Sequence, residues 1–310
     1  MPDGPLHPSP ARSVDEAVAR AQRYLLHFQH PEGYWWGELE SNPTMEAEYL
    51  FLTHILGVPD RERWRKIANH IESRQQPDGG WPLFHAAPGD LSTSVECYLA
   101  LKMAGRDPAS VAMRRARDLV LAKGGVEKTR VFTKIWLAML GQWKWEGTPF
   151  LAPELVLVPN PLPLNIYSFA SWTRATVVPM TVILSQQPAV PPPQGCEIDE
   201  LYPRGRAEAD YTLRAPSGFG FERIFYAADR LLRTADKLPW NPLRKRALRE
   251  VEDWIVSHQE ADGSWGGIQP PWVYSLIALK QLGRPADSGV VKKGLDGFEG
   301  FAIEDADTWR

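Results

Sequence analysis

A chain of 310 residues that is 44% hydrophobic and 24% charged is long enough to bury a sizeable core, which excludes an intrinsically disordered tail. A formal charge of −3 with a pI near 6.2 provides no basic field for nucleic acid, and no DNA- or RNA-binding motif is present. Two cysteines, Cys97 and Cys196, form neither a disulfide framework nor a metal-ligand spacing, and no run approaches the roughly 18 apolar residues of a membrane span.

Residues 1 to 12, rich in Pro and polar side chains, have no apolar core of a signal peptide and are expected to be disordered. From residue 13 onward, helical periodicity takes over. "VDEAVARAQRYLLHFQ" places apolar residues three and four apart, predicting an amphipathic helix that ends near Gln29. "QHPEGYW" (29 to 35) follows, and then "MEAEYLFLTHILG", a more apolar helix stopped by a Gly suited to a helix C-terminus. The same order recurs. "RWRKIANHIESRQ" leads into "QQPDGGW" (75 to 81) and "SVECYLALKMAG"; later, "RALREVEDWIVSHQ" leads into "QEADGSW" (259 to 265) and "WVYSLIALKQLG". Counted from Gln29, Gln75 and Gln259, each copy reads Gln, three residues, Gly, one residue, and then Trp35, Trp81 or Trp265. "LAKGGVEKT" before "RVFTKIWLAMLG" is a degenerate copy that has lost its Gln and Trp.

Internal repeats of this length mark stacked helix pairs. One helix of each pair reads as half-exposed and the other as buried all round. That predicts an all-α fold in which inner helices ring a centre and outer helices cover them, an α/α barrel; an open α-solenoid is the structural alternative. In such a stack the Gln can bond backbone groups at a neighbouring helix end while the Trp covers the Gly turn, clamping adjacent repeats.

Between the repeats lies a Pro-rich stretch, 185 to 218, expected to be a long irregular surface connection. The next segment, 219 to 251, mixes Phe, Trp, Leu and Tyr with Arg223, Arg230, Arg233, Lys237, Arg244, Lys245 and Arg246. This composition suits either an outer helix with a solvated face or a helix seated on an anionic membrane.

The Gln-to-Trp repeats resemble the QW motif of the triterpene cyclases. The strings "GYWWGELESNPTMEAEY", "TRVFTKIWLA", "NIYSFASWTRATVV" and "DGSWGGIQPPW" resemble squalene-hopene cyclase in particular, from about residue 13 to the end. The resemblance implies two α/α-barrel domains, one inserted into the other, with an apolar cavity between them in which squalene is protonated and cyclised. It places 13 to 295 in the N-terminal barrel and 296 to 310 at the start of the catalytic half. The proton-donating D-x-D-D motif of that family does not occur in these residues; the acidic clusters "EIDE" (197 to 200) and "EDAD" (304 to 307) depart from it. No catalytic acid is therefore assigned.

What remains to assign is cavity wall. Glu48 and Glu96 occupy equivalent places near the starts of two apolar helices, where the helix dipole favours a carboxylate. On spacing alone they are two helix-start charges with no chemistry; the resemblance puts them, with Arg130, in a polar relay at one end of the cavity. It makes Trp172 and Trp309 cavity aromatics whose π faces stabilise carbocations, with plain packing as the alternative for each. Gln269 becomes a polar wall residue beside Ile268, and Phe169 and Val177 the constriction through which substrate enters. The seven His residues are scattered, with no zinc spacing, no DDxxD and no phosphate loop, so no metal or cofactor is implied. The expected partners are squalene or a related isoprenoid, the cytoplasmic face of a membrane on which the protein sits monotopically, and a C-terminal cyclase half. A stand-alone lipid-binding barrel is the alternative of another class. Among the enzymes the alternative is oxidosqualene cyclase, against which the compact N-terminus and "GGIQPPW" favour the hopene type.

Overall fold

The computed structural model describes residues 14 to 35, 41 to 162, 165 to 213, 220 to 236 and 241 to 310. The tail expected to be disordered, 1 to 12, and Lys237 in the basic stretch lie outside the described residues. The chain divides into two compact units, Met1–Ser41 and Asn42–Arg310. In the first, α1 (Val14–His27) leads into the first QW loop, where Gln29 Nε2 donates to the Gly33 carbonyl (2.8 Å) and Trp35 Nε1 to the Leu25 carbonyl (2.6 Å).

The second unit holds the remaining helix pairs. Its inner helices are α2 (Thr44–Leu56), α4 (Leu91–Met103), α6 (Val131–Met139), α7 (Ser171–Gln186) and α10 (Gln269–Gln281). Nearly every residue of α2 and α4 is buried, in keeping with their all-round apolar sequences. The outer helices α3 (Arg61–Ser73), α5 (Val111–Ala122), α9 (Arg244–Ser257) and α11 (Gly289–Glu299) each bury one stripe, such as Trp64, Ile67, Ala68 and Ile71 on α3. In the inner layer α7 packs on α10, α10 on α2, α2 on α4 and α4 on α6; α3 and α5 cover α4, α9 covers α7 and α10, and α11 covers α10. The remaining helix, α8 (Phe221–Asp236), follows the Pro-rich connection. This is the all-α, α/α-barrel arrangement that the helix-pair repeat predicts.

The QW loops clamp as expected. Gln75 Nε2 bonds the Gly79 carbonyl (2.7 Å) and the Ala112 carbonyl in the first turn of α5 (2.9 Å); Gln259 Nε2 bonds Gly263 (3.1 Å) and Val290 in the first turn of α11 (2.9 Å). Trp81 Nε1 donates to Ile71 (2.6 Å) and Trp265 Nε1 to Ile255 (2.7 Å), in each case back to the preceding outer helix. Each Trp therefore tethers the loop to the helix before it while each Gln reaches the helix after it. Gly79 and Gly263 are required at this junction. Both have positive φ (93° and 94°), and a Cβ would meet the backbone of Arg115 at 2.8 Å or the Lys293 carbonyl oxygen at 2.2 Å.

One expectation changes. The Pro-rich connection is not confined to the surface: Ile198, Leu201 and Tyr202 are core residues, because Gln142 accepts from the Ile198 N–H (3.1 Å) and Lys102 satisfies the Glu197 carbonyl, removing the backbone penalty that usually keeps loops outside. Helix α11, with its buried stripe of Val291, Gly294 and Phe298, runs across residues 295 and 296, and the first inner helix of the second unit begins at Thr44. A two-residue hairpin, β1 (Trp81–Pro82) with β2 (Gly89–Asp90), interrupts the helical pattern and delivers Asp90 as the N-cap of α4, where it accepts from the Thr93 N–H (2.9 Å).

After α11 the chain folds back as a narrow hairpin. Ile303 and Arg310 exchange backbone hydrogen bonds (2.7 and 3.1 Å), Lys66 of α3 pairs with Glu304 (2.6 Å), and Asn69 donates to the Asp307 carbonyl (2.7 Å).

Candidate active-site wall

The N-terminal ends of the inner helices form one rim. Gln269, the first residue of α10, donates from Nε2 to the Met45 carbonyl on α2 (2.8 Å). Arg130, the N-cap of α6, donates its backbone N–H to Ser92 Oγ on α4 (2.9 Å), and its guanidinium lies 3.6 Å from Glu96 Oε1. Trp172, in the first turn of α7, shares a cleft of about 220 Å³ with Ile268, the N-cap of α10. Residues more than 200 positions apart, Gln269 and Met45, thus meet along this edge.

Inside the rim lies a pair of buried carboxyls. Glu96 is fully buried; Oε1 accepts from Thr133 Oγ1, while Oε2 has no hydrogen-bond partner in the protein. Burial pushes its carboxyl up to about 7, against the pull of Arg130 and Thr133. Glu48, also buried, is held well above the ordinary carboxylate range by burial first and by Glu96 second, with Arg130, Trp136 and Gln269 opposing. The helix dipole does not decide their charge as the sequence reading supposed. Neither carboxyl is in the first turn of its helix, beyond which the dipole's influence fades, and desolvation dominates. Burial biases both carboxyls toward their protonated forms, so a proton can be taken up or released here near neutral pH.

The structure adds residues that sequence reasoning missed. Tyr274 of α10 is buried, its hydroxyl held well above its ordinary value by burial and then by Glu48 and Glu96; its ring lies 5.7 Å from that of Trp136, which in turn lies 5.9 Å from Phe51. Thr133 of α6 supplies the hydroxyl that Glu96 accepts from. In the sequence these are ordinary members of apolar helices, and only their shared rim position sets them apart.

Other assigned residues divide. Trp172 is 64% exposed, and Phe132 (48%), Ile268 (43%) and Val131 (40%) also present apolar surface at the rim. Such clustering of large apolar side chains marks a surface that meets a ligand or another folded unit. Phe169, just before α7, and Val177 on it are half-buried. Trp309, 4% exposed, stacks on Tyr49 (4.5 Å between centroids) with the Arg63 guanidinium 5.4 Å over its ring. Its face already has a cation. It also lines, with Gln269, a second cleft of about 100 Å³. Among the described residues no group of His, Cys, Asp and Glu could hold a metal ion. The acidic cluster 197 to 200 is committed to structure, with Glu200 accepting from Lys102 (2.7 Å) and Tyr98 (2.8 Å).

The fold and rim define a helix-pair barrel that offers an aromatic, apolar wall with one buried proton-holding site. Residues 18 to 307 match the family described as the squalene-hopene cyclase N-terminal domain, and the chain belongs to that family. It is 44% identical over 300 residues to the squalene-hopene cyclase of Alicyclobacillus acidocaldarius, covering 96% of this chain and 46% of that protein. It is 38% identical to the dammaradiene synthase of Dryopteris crassirhizoma (95% of this chain, 43% of that protein) and 33% identical to the squalene-hopene cyclase of Bradyrhizobium diazoefficiens (93% and 44%). The chain thus spans less than half the length of these relatives, and what it matches is their N-terminal domain.

Proposed function

We propose that this domain is one wall of the reaction cavity of a proton-initiated cyclase acting on squalene or a closely related isoprenoid, with the initiating acid supplied by a C-terminal half. The observation that carries this reading is the rim itself, where exposed Trp172 and Ile268 share one cleft and Gln269, the residue after Ile268, reaches Glu48 of a buried carboxyl pair whose Glu96 lies 3.6 Å from Arg130. An all-carbon substrate needs apolar walls, and its cationic intermediates gain up to about 2 kcal/mol from each desolvated aromatic face. Because isomerisation returns the proton that started it, the final cation must lose one, and buried carboxyls biased toward protonation are suited to receive it. Relatives named squalene-hopene cyclase support the substrate class.

Association with the cytoplasmic face of a membrane belongs to the same proposal. On α8 and at the start of α9, Leu231 (70% exposed) and Leu243 (50%) stand among exposed Arg230, Lys245 and Arg246, a composition that seats a helix on anionic lipid. No helix among the described residues is long and apolar enough to cross a membrane.

The test joins this chain to the C-terminal half of the Alicyclobacillus acidocaldarius cyclase and measures cyclised product from squalene by gas chromatography. Trp172→Leu keeps apolar bulk but removes the π face; it should leave melting unchanged and lower the rate about tenfold for each 1.4 kcal/mol of cation stabilisation lost. Product formation at the parental rate by that variant, or none by the parent fusion, refutes the reading.

A further inference from the structure

Glu46 is a buried carboxyl that the rim chemistry does not use. It lies in the first turn of α2, 9% exposed, and its Oε2 has no hydrogen-bond partner in the protein. Unpaired buried oxygens are uncommon and call for an account. Two neighbours supply one. On one side Glu46 lines the cleft of about 100 Å³ that Gln269, Trp309 and Phe301 also line, roomy enough for several water molecules. On the other, Glu46 Oε1 lies 3.5 Å from His70 Nε2 on α3, whose side chain reaches the surface, 16% exposed. Gln269 also lies against Glu48, so the cleft begins where the rim's carboxyl pair ends.

Resting on the reading above, we propose that Glu46 and His70 form a proton outlet from the cavity rim: water in the Gln269 cleft hands a proton to the Glu46 carboxylate, which passes it to His70 Nε2 and so to solvent. The proton originates at a C–H bond next to the final carbocation, whose electron pair becomes the product's double bond. Taken up at the Glu48 and Glu96 rim, it enters the cleft as hydronium, converts the Glu46 carboxylate to carboxylic acid, and leaves from the His70 imidazolium, so Glu46 and His70 return to their starting state after each passage.

The charges around the pair suit this task. Burial raises the Glu46 carboxyl to about 7, opposed by its own backbone, Arg74 and Arg310. It can therefore accept and release a proton near neutrality. Burial, then Arg74 and Arg310, lower His70 to about 4, with Asp305 opposing, so an imidazolium formed there sheds its proton at once. Of the other polar residues on the cleft wall, Arg310 and Trp309 offer only N–H donors, and the Tyr49 hydroxyl already accepts from Arg63 (2.9 Å).

Two measurements test the outlet and separate its failure from failure of the cavity-wall reading. In the chain itself, NMR titration of the His70 ring should show a step near pH 7, reporting Glu46, distinct from imidazolium formation near pH 4. Glu46→Gln should abolish the upper step, Glu46→Asp should retain one, and Gln269→Leu should shift it. A ring titration unaltered by Glu46→Gln overturns the proposal. In the joined cyclase, Glu46→Gln should lower kcat about tenfold with KM unchanged and remove a limb of the pH profile near neutrality. Parental kcat and profile would overturn the outlet even if the NMR step is present. A parent fusion that makes no cyclised product refutes the cavity-wall reading and with it the catalytic use of the outlet, whatever the NMR shows.

Discussion

Replacing Trp265 by Ala tests the claim that the QW loops hold the repeats together. The ring is 1% exposed, lies against Gly294 of α11, and donates from Nε1 to the Ile255 carbonyl at 2.7 Å. Truncation removes the ring's burial, leaves a cavity between α9 and α11, and strips a donor from the end of α9, together costing about 3–5 kcal/mol. At roughly 2–4 °C per kcal/mol for a domain of this size, melting should fall by about 10 °C. Trp81→Ala should behave alike, since that ring is fully buried and its Nε1 donates to Ile71. Trp265→Phe separates the two contributions: it keeps most of the packing and loses only the hydrogen bond, costing about 1–2 kcal/mol. Trp172→Ala is the control, an exposed Trp whose loss should cost less than about 1 kcal/mol. Differential scanning calorimetry with urea titration reads all four. If Trp81→Ala and Trp265→Ala melt within about 2 °C of the parent, or Trp172→Ala falls as far as they do, the loops are not clamps and the architectural argument fails.

The remaining predictions concern buried charge. Glu46, raised to about 7 from an ordinary 4.5, binds its proton more tightly folded than unfolded, so its stabilising contribution is complete below about 4.5 and is lost as pH rises through 7. Urea denaturation should therefore show Glu46→Gln gaining on the parent by up to about 3 kcal/mol between pH 5 and 8; a constant difference across that window refutes the assignment. His70, lowered to about 4, contributes in the opposite sense, so its stabilisation is present above about 6.5 and lost as pH falls toward 4, which His70→Gln should relieve. Glu200→Ala strands the buried Lys102 ammonium, whose carboxylate partner at 2.7 Å is removed, and should cost about 3 kcal/mol; Lys102→Met combined with Glu200→Leu should recover most of it in the same assay. The chain without a C-terminal half should form no hopene from squalene above a heat-killed control, because none of its carboxyls stands in a D-x-D-D motif.

Much of the architecture was legible in the sequence because it depends on neighbours along the chain. Apolar spacing separated inner from outer helices, the Gln-Gly-Trp spacing identified the clamps, and the strings around Trp172 and Gln269 carried the family resemblance. The bonds of Gln75, Trp81, Gln259 and Trp265 follow that pattern. Protonation could not be read this way. Whether Glu46, Glu48 and Glu96 carry charge depends on how much water the other helices exclude, and spacing along α2 or α4 contains no measure of that. Trp309 shows the same limit: the fold-back of 303 to 310 lays it on Tyr49 beneath Arg63, contacts that no local spacing contains. The Pro-rich connection read as surface, and only packing against α5 and the bond to Gln142 made Leu201 and Ile198 core. Periodicity is a property of the local chain, so the sequence by itself determined the helices, their buried faces and the clamps between them. Desolvation and long-range contact exist only once those helices are assembled, so the tertiary structure alone decided which carboxyls hold protons and which aromatic faces remain open.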